Sequence, residues 1–383
     1  MSTQSASLSP VRRQEIITRF LAWLYGEESL FRSPSGLAYP LNVQSWADQP
    51  RPLAALLGDL TVDSRTFPSS SWLLEDLRSN HKHLWNGTTY ALADRSRMPS
   101  NAAHQPQADG ERLHCVVGTY FDTVNTCTIL EAELQRAVCD CRLDVVPEQL
   151  YQALPQRHHL HADRLGQAAL ADAWSGRDRS AAVSISCCFV VNSGSTDVDL
   201  VAGQQRYFLC QRSEQVADGP GLSHIVPSMV FQPSHENPFD PQSYCLERII
   251  LREVGEELFD REEGDQDALL YPEIADLNTL LASGGATLLV TGVAMDLLCL
   301  RPEILALCWI RDGSWYARYG SAMKFSRHEY NHNSMARHSW RAILDDEPFC
   351  ADGEFAPHRC IATGAASAIL ARQYLCRELY AQQ

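Results

Sequence analysis

Near the start of the chain, apolar residues recur with the period of a helix. In RRQEIITRFLAWLYGEES, Ile16, Ile17, Phe20, Leu21 and Leu24 fall near a 3.6-residue repeat, which predicts an amphipathic helix. A loop rich in Ser, Pro and Gly follows. SSSWLLEDLRSNH predicts a second helix behind a serine cap. HLWNGTTYALAD reads as two short strands turned at Asn86-Gly87, a strong hairpin signal. Helix, helix, hairpin is the order of a winged helix, and many small structural α+β units share it. Residues 1–97 are therefore expected to form a helical or winged-helix-like subdomain. MPSNAAHQPQADGER, residues 98–112, is polar and rich in breakers and reads as a linker. In residues 113–180, LHCVVGTYFDTVNTCTILEAELQRAVCD predicts a strand, a turn and a helix, and the remainder is helical or irregular.

From residue 181 the pattern changes. AAVSISCCFVVN and QRYFLCQRS read as strands, and LSHIVPSMVFQPS gives two extended pieces around Pro227. YCLERIILREVGEELF is a helix. ATLLVTGVAMDLLC and ILALCWIRDG are further strands separated by Arg301-Pro302, and PHRCIATGAASAILARQYLCRELY is an Ala-rich closing helix. The mixture of strands and helices places the chain in the α+β or α/β class. Residues 181–383 are expected to be one domain.

Composition narrows the picture. The 383 residues suffice for two or three domains, and a 45% hydrophobic content excludes global disorder. The longest apolar runs are too short to span a bilayer. MSTQSASLSPVRRQE lacks an apolar signal segment, so a cytoplasmic protein with no membrane partner is expected. The 13 cysteines contain no Cys-x-x-Cys, which favours reduced thiols used as small core residues. Nothing around His114-Cys115 or Cys127 singles out a low-pKa thiol. RHHLH (His158, His159, His161) fits no zinc spacing. The net charge is -15. Residues 1–100 carry 10 Lys+Arg against 9 Asp+Glu, leaving 22 against 38 for the rest. An acidic body excludes broad contact with a phosphate backbone and leaves a local basic face only in the first hundred residues.

The candidate chemistry lies in REVGEELFD, residues 252–260. On a helix, Glu253 is i,i+3 to Glu256 and i,i+4 to Glu257, so all three carboxylates share one side. Like charges so placed repel by roughly 0.2–0.5 kcal/mol per exposed pair, and Arg248 and Arg252 offset part of this. Two readings follow. The helix end is a solvated acidic face, continued by the acidic EELFDREEGDQD, or it is a cradle for a hard cation such as Mg²⁺, which takes oxygen ligands.

The context of the helix resembles the Nudix hydrolase family, whose box is Gly-x5-Glu-x7-Arg-Glu-U-x-Glu-Glu-x-Gly-U with U a bulky aliphatic residue. Arg252, Glu253, Val254, Glu256 and Glu257 match its second half. Gln211-Arg212-Ser213 is similar to the end of the strand before the box, and Pro227-Ser228-Met229 stands where a Pro-Gly-Gly-like segment leads into it. The first Glu of the box falls on Tyr244, its first Gly on Pro238, its second Gly on Phe259 and its last aliphatic on Asp260. Glu247 is a candidate substitute for the missing Glu. HIVPSMVFQP, LREVGEELFD, LLVTGVAMDLLCLRPEILAL and ATGAASAILA together resemble a little-characterised set of bacterial proteins with a divergent Nudix-like domain, often labelled helix-turn-helix regulators.

This resemblance implies a mixed sheet sandwiched by helices and cleavage of a nucleoside diphosphate linked to another group. It implies Mg²⁺ or Mn²⁺ held by Glu253, Glu256 and Glu257, with Arg252 bracing them. Arg212 is carried over as a residue that reaches a substrate phosphate, with a structural ion pair as its alternative. Asp296 is a substrate-side residue facing the cleft, and Glu329 a late base from a loop or a plain surface residue. The alternative function is a degenerate Nudix domain that binds a nucleotide and regulates an N-terminal module. That module would contact DNA or a protein partner, with Arg12, Arg13, Arg78 and Lys82 as DNA-phosphate contacts. Neither the nucleotide nor the oligomeric state is legible.

Overall fold

The structure is a computed structural model that describes residues 8–80, 82, 84–94, 112–140, 145–156, 167–194, 204–217, 219–262, 268–326, 329–330 and 339–380. In chain order the strands are β1 (Phe31–Arg32), β2 (Ala38–Tyr39), β3 (Leu41–Ser45), β4 (Arg51–Pro52), β5 (Leu57–Val62), β6 (Thr88–Leu92) and β7 (Leu113–Thr119). There follow β8 (Ser184–Asn192), β9 (Gln205–Gln211), β10 (Ser223–Ile225), β11 (Ser228–Val230), β12 (Ala286–Asp296), β13 (Arg301–Ile310) and β14 (Ser339–Ala342). The class is α+β. A nine-stranded sheet has the order β10-β9-β8-β13-β12-β3, with β11 on β8, β14 on β9 and β4 on β12. Among the described strands only β8 and β13 run parallel within it. A three-stranded sheet has the order β5-β7-β6.

β8 explains the layering. All its residues are buried, as expected of an apolar strand covered on both faces. Its side chains alternate: Ile185, Cys187, Phe189 and Val191 join the core that contains helix Leu246–Phe259, while Cys188 and Val190 join the core under helix Ala362–Tyr380. β13 divides the same way, Ile304, Ala306, Cys308 and Ile310 against Leu305, Leu307 and Trp309. The adjacent cysteines 187 and 188 thus serve two different cores. The large sheet lies between the two helices, here called the carboxylate helix and the closing helix.

One edge of β8 belongs to β13. On its other edge β8 pairs with β11 through Ser184–Ser186 and with β9 through Val190–Asn192. β9 in turn pairs with β10 through Leu209–Gln211. Residues 223–230 are therefore wedged between two diverging strands, and the end of the sheet opens there.

The N-terminal region departs from expectation. The first helix forms as the periodicity predicts, over Pro10–Tyr25, and Ser9 Oγ caps it by accepting from Arg12 N at 3.2 Å. The second forms over Trp72–Ser79 behind Ser71. The Asn86-Gly87 hairpin does not. Residues 84–87 are not strand, and β6 takes β7 as its antiparallel partner. Asn86 instead accepts a hydrogen bond from Phe121 N at 2.9 Å through Oδ1. The helix-helix-wing order is thus not realised. Nor does residue 97 separate two packing units: β3 continues the large sheet beyond β12, and Ile16, Ile17 and Phe20 share one core with the carboxylate helix. Residues 98–111 and the His158/His159/His161 cluster lie outside the described residues. The described cysteines are free and most are buried. No helix among the described residues is long and apolar enough to cross a membrane.

Candidate functional site

The carboxylate helix puts the three glutamates on its buried side. Ile249, Ile250, Val254 and Leu258 pack into the core, and Asp260 ends the helix with a positive φ of 52°. Glu253, Glu256 and Glu257 are 6%, 7% and 4% exposed. These values rule out a solvated acidic face, the plainer of the two sequence readings.

Each carboxylate is held. Arg252, itself buried, donates from Nη2 to Glu253 Oε1 at 2.8 Å, and its Nε lies 3.3 Å from Glu256 Oε1, an ion pair without hydrogen-bond alignment. Ser228 N approaches both oxygens of Glu257 at 3.1 and 3.3 Å, and Tyr330 donates its hydroxyl to Glu257. Burial, then Glu253, then Glu329 push the Glu257 carboxyl well above the usual range, against the opposing pull of Tyr330 and Arg212.

The three glutamates open onto a cavity of about 530 Å³. Asp296, at the end of β12, lines it too, and its Oδ1 accepts from Leu298 N at 2.8 Å. Arg212 also lines it and pairs with Glu329 at 3.2 Å, so this arginine is both an ion-pair partner and a cavity residue. Glu329, 39% exposed at its side chain, faces the cavity as well.

Several lining residues were not singled out in the sequence. Arg301 and Glu303 open β13; Arg301 donates to Ser184 Oγ at 2.5 Å, and Ser186 Oγ donates to Glu303 at 2.5 Å. His224 and Thr363 come from β10 and the closing helix. His224, Arg301, Glu303 and Thr363 fall inside the segments that carry the family resemblance, but nothing in those segments marks them individually; Arg301-Pro302 reads as a break between strands, and the structure starts β13 there. Of the described lining residues, 9 are Asp or Glu and 3 are Arg. The cavity therefore carries excess negative charge.

The first half of the expected box is absent in space as well as in sequence. Tyr244 is packed between aromatic rings, 5.0 Å from Tyr90 and 5.5 Å from Phe231, and donates to Leu113 O at 3.4 Å. Glu247 is exposed and is not among the described cavity residues, so it does not replace the missing carboxylate. Phe259, at the place of the second Gly, packs edge-on to Trp315.

The residues expected to meet DNA phosphate are engaged within the chain. Arg12 pairs with Glu15, Arg13 approaches Cys139 Sγ at 3.9 Å, Arg78 lies over the Phe121 ring and Lys82 donates to the Glu214 carbonyl. No model of a known protein family matches the chain. No curated protein matches it either.

Proposed function

We propose that the protein is a Mg²⁺- or Mn²⁺-dependent hydrolase of Nudix type that acts on a nucleoside diphosphate linked to another group. The observation that carries this reading is the set of three buried glutamates from one helix, facing a cavity they share with Arg212. Burial of three carboxylates within two turns is unfavourable unless a cation or a proton compensates them. Arg252 compensates part of this from beside them, and Glu257 shows the remainder.

The donor set suits a hard cation, since the glutamates offer only oxygen. Among the described residues no three Asp, Glu, His or Cys side chains converge closely enough to hold an ion by themselves. Glu253, Glu256 and Glu257 would therefore hold it partly through water, as Mg²⁺ prefers. When bound, such a cation polarises a phosphoryl oxygen and acidifies a bound water. The chain does the rest. Arg252 orients Glu253 and Glu256, Ser228 N–H and Tyr330 fix Glu257, and Arg212 offers charge-assisted hydrogen bonds to a phosphate. Glu329, on a loop beside Glu257 and partly exposed, is the group best placed to accept a proton from water.

The test is turnover of ADP-ribose, NAD, dinucleoside polyphosphates and nucleoside triphosphates with Mg²⁺ or Mn²⁺, beside Glu256→Gln and Glu257→Gln. Cleavage that needs metal and is lost in both variants is the expected result; turnover that survives both sinks the assignment.

A second reading has its own observation. Tyr244 is held in an aromatic cluster, so the carboxylate of the first box position is replaced by a structural side chain, and fewer ligand charges weaken a metal site. The chain would then bind a nucleotide without cutting it. Ligand-induced thermal stabilisation with no turnover of any substrate in the panel distinguishes this outcome.

A further inference from the structure

The closing helix starts at the cavity, where Ile361 and Thr363 line the wall. It is 19 residues long and has no acidic residue in its first turn. The first N–H groups of a helix have no acceptor within it, and the aligned peptide dipoles leave partial positive charge at that end. This alone would not make a site.

His224 adds to it. The residue is 4% exposed, lines the same cavity, and its Nδ1 is buried without a hydrogen-bond partner. A Cβ on Gly364 would come within 2.2 Å of that Nδ1, so the imidazole lies against the first turn of the helix and only glycine leaves it room. The backbone fixes this contact: Ile361 N donates to Ser223 O and Ser223 N to Arg359 O, at 2.9 and 2.8 Å. Burial, then the charge of Arg212, hold His224 well below its usual pKa, so the ring is neutral and keeps one N–H donor. A buried polar atom left without a partner is unfavourable, and a ligand that supplies one removes the penalty. Glu303 is a competing anion; its partner Ser186 Oγ lies 3.4 Å from Thr363 Oγ1.

We propose that the first turn of the closing helix, His224 and Arg212 form a seat for one phosphate group. The inference rests on the cavity being the ligand site described above and deepens it. The carboxylates would take the cation, and this seat an anionic oxygen cluster, which is the charge pattern of a phosphoanhydride. Inorganic pyrophosphate and a nucleoside diphosphate share that chemistry, and comparison with the bare nucleoside separates the phosphate from the base.

The experiment is calorimetric titration of the full chain with inorganic pyrophosphate, ADP and adenosine, in EDTA at low salt. Pyrophosphate and ADP are expected to bind and adenosine not. Arg212→Gln and His224→Phe are expected to weaken pyrophosphate binding about tenfold or more, the usual loss for a hydrogen bond to a charged group. Glu256→Gln, which removes negative charge, is expected to leave it equal or tighter. Because a buried variant can fail to fold, the assigned ring-nitrogen resonances of His224 are followed in the unaltered protein, and they should move with pyrophosphate and not with equal ionic strength of chloride. No pyrophosphate binding, adenosine binding as tightly as ADP, unmoved His224 resonances, or variants at Arg212 and His224 that bind normally would each overturn the seat. EDTA keeps this test apart from hydrolysis. Absent turnover with an intact seat removes only the hydrolase reading, and turnover without the seat removes only this inference.

Discussion

Arg252 is the residue on which the carboxylate helix depends. Its side chain is 8% exposed, and its guanidinium pairs with two buried carboxylates whose side chains are 9% exposed. Removing one partner of a buried pair leaves an uncompensated charge and costs about 3–5 kcal/mol. Arg252→Leu is expected to destabilise the protein by that amount in urea, and a loss below about 1 kcal/mol would mean that the glutamates are already neutralised in another way. Glu257 makes a prediction in pH. Its folded pKa lies well above the 4.5 of a free glutamate. At pH below 4.5 it is protonated in both states and its contribution is fully present; as pH rises toward the folded pKa, the unfolded chain releases the proton first and stability falls. In EDTA, Glu257→Gln should therefore gain on the unaltered protein between pH 4.5 and neutrality. Millimolar Mg²⁺ should shrink that gain, because a cation favours the ionised carboxyl. Parallel stability-versus-pH curves for the two proteins would contradict both statements.

At the scale of elements, what could be read from the sequence was local. The carboxylate helix was legible because its spacing of three and four residues is itself the geometry of a helix face; the burial of its glutamates was not, since the same spacing also fits a solvated acidic face. β8 and β13 were legible as continuous apolar runs. Contributions from distant strands and helix ends were not: His224, Arg301, Glu303 and Thr363 meet only because β10 is wedged between β8 and β9 and the closing helix begins beside it. The Asn86-Gly87 hairpin failed for a related reason. β7 offers β6 an uninterrupted partner over Cys115–Thr119, and tertiary pairing outweighs local turn propensity. Packing of elements also explains one glycine. β12 changes register between Val290 and Gly292, where β3 joins its edge. A Cβ on Gly292 would come within 2.8 Å of both Gln44 O and Leu370 Cδ1. Gly292→Val is expected to cost about 1–3 kcal/mol by pushing β3 and the closing helix apart, read as a lower urea midpoint. An unchanged midpoint would show that these elements yield without loss.

At the scale of the whole molecule, the described residues before and after position 97 interlock. β3 and β4 pair with β12, Tyr39 in β2 donates to the Phe355 carbonyl, and Tyr244 ties the start of the carboxylate helix to β7. The core around the carboxylate helix draws on residues from Ile16 to Tyr330. A fragment of residues 181–383, cut where the sequence suggested a domain boundary, would bare one edge of β12 and the apolar surface that Phe20, Leu56, Tyr90 and Leu113 cover. Exposed strand edges and large apolar patches favour aggregation. The fragment is therefore expected to be insoluble or to lack a cooperative melt, while the full chain unfolds in one transition when circular dichroism and tryptophan fluorescence are followed together. Two separated transitions, or a soluble fragment with a sharp melt, would restore an independent C-terminal domain. That outcome would favour the regulatory reading, because a separable N-terminal unit is one that a ligand in the cavity could bias as a body.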